Sequence, residues 1–165
     1  MVILKRILVA TDFGEAADVA LNYGRELAHV FGASLDVVHV CENSLTRGFG
    51  VEGVVLACPD LQRDLEQAAR KQLDSRVSDD DRARLRTKTV VLTSNTPAGA
   101  IVGYAEETRA DLILMGTHGR GAVAQLFTGS VAERVVRTAP CPVLTVRHPE
   151  REFVLPDALV AVAKA

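Results

Sequence analysis

The chain contains no tryptophan and, over 165 residues, only two tyrosines and five phenylalanines. So few rings leave little with which to stack unpaired bases, and 19 lysines and arginines against 21 aspartates and glutamates provide no surplus of positive charge. A nucleic-acid partner is therefore not expected. Cysteine is also sparse. Cys41, Cys58 and Cys141 are odd in number and far apart, which fits neither a disulfide framework nor the close pairs of a zinc site. No run of about 18 apolar residues occurs that would cross a bilayer. The opening MVILKRILVATDFG lacks the apolar core and small-residue cleavage site of a secretory leader. These absences lead to the expectation of a cytoplasmic protein with no membrane partner.

What is present is the composition of one compact domain, 48% hydrophobic and 24% charged. A chain of this length buries enough surface to fold without a metal or disulfide staple. We expect a single domain over residues 1–148 and a tail over 149–165, where Leu155, Leu159 and Val162 have no partner in the pattern of elements.

Strand-like and helix-like patterns alternate along the chain. Ile3 to Ala10 is an apolar run broken only by Lys5 and Arg6, suited to a strand buried on both faces. After Asp12, the residues Ala17, Ala20, Leu21, Gly24, Leu27, Ala28 and Phe31 recur every three or four positions and form one stripe of a helix, which Gly32 is placed to stop. Leu35 to Cys41 is a second buried strand, so the first two strands are expected to be parallel. Periodicity fails from Glu42 to Pro59, which reads as a long connection with the capacity to act as a lid. Asp60 is a cap for a helix reaching about Val77, with Leu61, Leu65, Ala68, Ala69 and Leu73 on its apolar side. The acidic run Asp79 to Asp81 reads as a solvated turn. Thr87 to Leu92 is a third strand, Thr96-Pro97 opens a helix, and Asp111 to Met115 is a fourth strand. A helix from about Gly129 to Thr138 and a strand from Pro142 to Arg147 complete the pattern. Five strands alternating with four helices predict an α/β fold: a parallel sheet covered on both faces.

The segment richest in chemistry joins the fourth strand to the last helix. It begins Gly116-Thr117-His118-Gly119-Arg120-Gly121 and ends Thr128-Gly129-Ser130. A helix start presents unpaired N–H groups and a partial positive charge, and glycines let the main chain approach a phosphate closely. Glycines after a strand also serve as plain turn residues, and Ser130 can simply cap its own helix. Neither common nucleotide signature is present: no Lys-Ser or Lys-Thr follows the glycines, and there is no GxGxxG after the first strand.

The spacing G-x2-G-x9-G-S, carried by Gly116, Gly119, Gly129 and Ser130, resembles that of the ATP-binding branch of the universal stress protein family. The likeness spans Lys5 to Arg147. The opening ILVATDFGEAA, the second-strand VVHV, and the stretches DLILMGTHGRG and GSVAERVVRTAPCPVLTVR all resemble that family. The resemblance implies an open five-stranded parallel sheet of order 3-2-1-4-5, Rossmann-like and similar to the adenine nucleotide alpha hydrolase fold. In that order the ends of strands one and four lie side by side, where open α/β sheets bind ligands. Position by position, it implies that Ala10, Thr11, Asp12 and Val40 meet the adenine and Met115 and Gly116 line the nucleotide. Gly119, Gly129, Ser130 and Val131 would hold ribose and phosphates. His118 and Arg120, inside the loop, have positive charge to offer the phosphates, and facing water is their other reading. Asp12 is the candidate oxygen ligand of Mg²⁺ bound with ATP; capping the first helix is its other possible role. His29 and His39 are assigned structural roles. The family often has serine two residues after the aspartate, whereas here Asp12-Phe13-Gly14 has glycine, so a side-chain contact from that position is missing.

Three functions follow as expectations. The first is an adenine-nucleotide-binding protein with a regulatory, stress-response role and at most slow ATP hydrolysis, since no catalytic set is recognisable. The second is a nucleotidyl-transferring or adenylating enzyme on the same fold. The third is a nucleotide-free interaction protein acting through dimer contacts. The resemblance also implies a homodimer paired through the last strand, at Val143, Leu144 and Val146, because an open apolar edge is a hazard in a monomer.

Overall fold

The computed structural model describes residues 2–43, 59–117 and 131–148. The long connection after the second strand, most of the glycine segment and the tail lie outside them.

The five strands are β1 (Arg6–Ala10), β2 (Ser34–Cys41), β3 (Lys88–Thr93), β4 (Leu112–Gly116) and β5 (Val143–Val146). They form one parallel sheet of order β3-β2-β1-β4-β5. β1 is central, and Ile7, Leu8 and Val9 are completely buried. Alternation along it sends Ile7 and Val9 to one face and Leu8 and Ala10 to the other. Two cores result. Ile7, Val9, Leu35, Val37 and Leu114 pack under α1 (Glu15–Phe31), α2 (Pro59–Asp74) and α3 (Asp79–Leu85). Leu8, Val38, Ile113 and Met115 pack under α4 (Pro97–Thr108) and α5 (Val131–Thr138). The open parallel sheet covered on both faces is thus the architecture expected.

Local chemistry explains where the elements stop. α1 ends at Gly32, whose φ of 64° lets its amide reach back to the carbonyls of Ala28 and His29. Its inward stripe includes Gly24, where an added Cβ would stand 2.6 Å from Val9 Cγ2, so the helix lies close against β1.

Four expectations need correction. The strand does not begin at Ile3: that residue is 60% exposed, and regular pairing starts at Arg6. Asp79 to Asp81 is the first turn of α3, which makes five helices rather than four. Ser78 accepts the Asp81 amide at 3.1 Å while the Asp81 carboxylate accepts the Ser78 amide at 3.0 Å, a reciprocal capping box. α2 includes Pro59, with Asp60 inside its first turn, and it ends at Asp74 rather than Val77. Its buried side is also different: Leu61 and Leu65 are exposed, whereas Gln62, Ala69 and Leu73 are buried. Gln62 is satisfied there because it donates to Glu66 at 2.9 Å, and Glu66 in turn accepts the Thr93 hydroxyl at 2.7 Å.

Candidate functional site

The C-terminal ends of β1 and β4 lie next to each other, with Ala10 opposite Met115. β2 leaves β1 on one side and β4 flanks it on the other, so this is the switch point of the sheet, where a crevice opens in folds of this kind. Ala10 and Met115 are buried on the α4–α5 face, and half-buried Val40 packs against the same cluster. Two of the expected adenine contacts, Ala10 and Val40, therefore share one side of the sheet end with Met115, expected to line the nucleotide.

Beyond Ala10 the chain turns sharply, and consecutive side chains hold the turn. Thr11 keeps its amide in the sheet, donating to the Val38 carbonyl at 2.9 Å. Its Oγ1 accepts the Phe13 amide at 3.0 Å, and Asp12 Oδ1 accepts the Gly14 amide at 2.9 Å. These are the local bonds by which threonine and aspartate favour turns. Asp12 thus secures the entry to α1 through Gly14, the N-cap, which has no capping side chain of its own. Asp12 is exposed, and its second oxygen, Oδ2, has no hydrogen-bond partner among the described residues.

The turn places Phe13 at φ 64°, an unfavourable conformation for a bulky side chain. Tertiary contacts compensate. The ring is 7% exposed and stacks on His39, with centroids 4.2 Å apart and planes inclined by 30°. The Arg76 guanidinium lies 4.9 Å from the ring centroid, its Nη2 donates to the Phe13 carbonyl at 3.3 Å, and its Nε donates to Asp18 at 2.8 Å. His39 Nδ1 is 2.8 Å from the Thr11 carbonyl. A carbonyl can only accept, so Nδ1 carries the proton. Burial pushes the His39 pKa below its ordinary value of 6.5, against the opposing pull of the Thr11 carbonyl and the Asp12 charge. His39 is structural, as expected, but what it supports is the site turn itself. Neither that brace nor Arg76 was apparent from sequence, because both reach the turn from distant segments.

Gly116 closes β4. A Cβ there would stand 2.8 Å from the Ala16 Cβ and 2.9 Å from main-chain atoms of both Ala16 and Ala17. Glycine is therefore required for the end of β4 to approach the first turn of α1, whatever its relation to a ligand. The next residue, Thr117, continues the sheet by donating its amide to the Val146 carbonyl at 2.8 Å. The first-turn N–H groups of α1 arrive at this end of the sheet, and α5 is described from Val131, whose side chain is 37% exposed. His118, Gly119, Arg120, Gly129 and Ser130 lie outside the described residues.

No group of three or more histidines, cysteines, aspartates or glutamates among the described residues could hold a metal ion. Any cation here would need most of its oxygen ligands from another source, and a single carboxylate with an open oxygen, as at Asp12, suits a magnesium ion carried by phosphates. Among the described residues, no helix is long and apolar enough to cross a membrane.

At the sheet edge, β5 pairs with β4 alone among the described residues. Of the residues expected at a dimer contact, Leu144 is 38% exposed, Val143 is half-buried and Val146 is buried in this chain's own core.

Comparison with known proteins identifies the relatives of this architecture. Universal stress protein MJ0531 of Methanocaldococcus jannaschii is 32% identical over 148 residues, covering 90% of this chain and 85% of that protein. Among solved structures, hypothetical protein MJ0577 of the same organism superposes with a TM-score of 0.71 at 25% identity, covering 91% of this chain and 100% of the other. The universal stress protein from Archaeoglobus fulgidus in complex with dAMP shares the fold, with a TM-score of 0.57 at 23% identity, covering 88% of this chain and 99% of the other. The model of the universal stress protein family matches residues 4–147, from the start of the sheet to its last strand, and the chain belongs to that family.

Proposed function

We propose that this chain binds an adenine nucleotide, ATP together with Mg²⁺, at the crevice between the ends of β1 and β4, and serves as a regulatory, stress-response protein. The observation that carries this is the pairing of Ala10 with Met115, which brings the Thr11–Asp12 turn and the bare Gly116 to one switch point. Ala10, Thr11, Asp12 and Val40 are assigned to the adenine side, and Met115 and Gly116 to the wall of the site. The family resemblance assigns Gly119, Gly129, Ser130 and Val131 to ribose and phosphates; His118 and Arg120, from their place in the same segment, are assigned positive charge toward the phosphates. ATP would supply the phosphate oxygens that hold most of the magnesium shell, and Asp12 Oδ2 would add one protein ligand. The dAMP carried by the Archaeoglobus fulgidus protein indicates the class of ligand to test first.

No catalytic set is recognisable in the sequence, which favours binding over turnover. Steady-state ATP hydrolysis is expected well below about one per second, and a faster rate would overturn the regulatory reading. The binding itself is tested by identifying small molecules released from the denatured protein and by thermal melting with added ATP. At a hundredfold excess over Kd, a ligand stabilises by about 2.7 kcal/mol. Absence of any released adenine nucleotide, with no ATP-dependent shift in Tm, would sink the assignment. A second proposal concerns assembly. The edge of β5, unpaired among the described residues, with Leu144 exposed beside Val143 and with Val146 anchoring the strand from within, is suited to pair with a second copy. Light scattering that finds only monomer at micromolar concentration would refute it.

A further inference from the structure

At the end of the sheet opposite the Asp12 turn, the chain encloses an open cavity of about 550 Å³. Its walls are the starts of β1, β2 and β3 and the last turns of α1 and α4. Five cations line it. Lys5 immediately precedes β1 and Arg6 opens it, Arg86 lies in the connection between α3 and β3, Lys88 opens β3, and Arg109 is the residue after α4. One carboxylate faces them, Asp36, which is 2% exposed and already engaged: it accepts the Tyr104 hydroxyl at 3.1 Å and lies 4.0 Å from Arg6 Nε. Nearby Asp111 is occupied by the main-chain amides of Lys5 and Arg6, at 2.7 and 2.9 Å. Five cations against one lining carboxylate is a marked local excess in a chain whose formal balance is −2.

Part of that excess serves the fold. Helix C-termini carry partial negative charge, and two of the cations reach such carbonyls. Arg6 Nη1 donates to Thr108 at 2.9 Å and Arg86 Nη2 to Gly32 at 3.3 Å. The side chains of Lys5, Lys88 and Arg109 are exposed and have no hydrogen bond or ion pair with any described residue, so the fold gives no reason for them. Arg109 also sits at φ 55°, in the left-handed region that Gly32 occupies at the end of α1, where glycine would be easier.

We propose that this cavity is a second ligand site, taking a small polyphosphorylated anion. Its phosphoryl oxygens lie on Lys5, Lys88 and Arg109, with Arg86 at the rim, and any less polar portion rests against Ile3 and Phe31. Arginine and lysine together give forked and point-charge contacts to phosphate. Ile3 and Phe31, 60% and 40% exposed, supply an apolar flank to the same cavity. The volume falls within the small-molecule range, and a concave wall suits a compact anion better than a flat bilayer surface. The site is independent of the nucleotide crevice, being at the other end of every strand.

The test is an amide NMR titration of the full chain with tripolyphosphate, then with ATP. Binding at the proposed site moves the amides of Gly32, Lys88 and Arg109. Binding at the crevice moves those of Asp12, Gly116 and Thr117. A protein carrying both Lys88→Ala and Arg109→Gly should bind at the distal amides at least about tenfold more weakly, as expected from removing two charge-assisted contacts, while crevice shifts persist. Glycine is favoured at the Arg109 conformation, so this variant should fold. Tighter distal binding of ATP than of tripolyphosphate would support use of the Phe31 flank, and equal binding would support an inorganic polyphosphate. Tripolyphosphate shifts confined to the crevice, or distal affinity unchanged in the double variant, would overturn the proposal. So would cosedimentation with anionic phospholipid vesicles while tripolyphosphate leaves the distal amides unmoved.

Discussion

The two ends of the sheet are made from opposite ends of the same helices, and they acquire their charge in different ways. Where β1 and β4 finish, α1 begins, and among the described residues its first-turn main-chain N–H groups, which no side-chain substitution removes, supply positive character. Among the described residues, Asp12, Glu15 and Asp18 bring acidic charge to the Thr11–Asp12 turn, and the cation there, Arg76, is paired with Asp18, while His148 lies 3.3 Å from Glu15. Where the strands start, α1 and α4 end, the backbone contribution is negative, and lysines and arginines reverse it. One end is thus governed by backbone geometry and the other by side-chain charge. Substitutions that alter backbone approach should damage the first end, and changes of charge should be felt at the second.

The largest effect is expected from Gly116→Ala. The new Cβ would press on main-chain atoms of Ala16 and Ala17, which cannot rotate aside, and overpacking of this kind destabilises by about 1–3 kcal/mol. Chemical denaturation should show the loss, and an unchanged midpoint would mean that the two ends do not differ as argued. Next is Arg76→Ala, which removes the ion pair with Asp18, the hydrogen bond to the Phe13 carbonyl and the cation over the Phe13 ring. A destabilisation of about 1–2 kcal/mol is expected, with looser nucleotide binding because the Asp12 turn loses its brace. Asp12→Ala should cost about 1 kcal/mol through the lost bond to the Gly14 amide. It should also abolish most of the difference between ATP affinities measured with magnesium and with a chelator.

The smallest effect concerns pH. The folded pKa of His39 lies below the value of 6.5 that the unfolded chain would show. At neutral and higher pH both states are neutral there, and the group contributes no pH dependence. As pH falls through 6.5 the unfolded state takes up the proton first, so stability declines from that point down to the folded pKa. Replacing His39 with glutamine should flatten that part of the stability profile in urea titrations across this pH range. A profile equally steep in the variant would assign the dependence elsewhere.

Much of the fold was legible because the strands are buried on both faces and so appear as continuous apolar runs, as in Ile7–Ala10 and Ile113–Met115. α3 was misread because three consecutive aspartates look like solvent, although Ser78 three residues before Asp81 is a capping pattern. α2 was misassigned on its buried side because glutamine and glutamate satisfied by Thr93 occupy places that periodicity gives to leucine. At the candidate site, the ends of β1 near Ala10 and Asp12 and of β4 near Met115 were legible as strand ends, and their roles came from the family resemblance. The physical requirement for Gly116 was hidden, since the Ala16 backbone that enforces it lies a hundred positions earlier in the chain. The His39–Phe13–Arg76 stack escaped for the same reason: it joins β2, the Asp12 turn and the connection after α2, and local pattern carries no record of such a meeting.

Phe13 carries one further consequence. A backbone that disfavours its own side chain stays bent only while the ring remains gripped from both sides, so the turn behaves as a latch whose keeper is the interior of the protein. An arriving ligand would find the Asp12 carboxylate already fixed in direction and would spend little of its binding free energy on arranging it. Glycine at position 13 would relieve the local strain and release that fixed direction, exchanging a sharper receptor for a more relaxed chain.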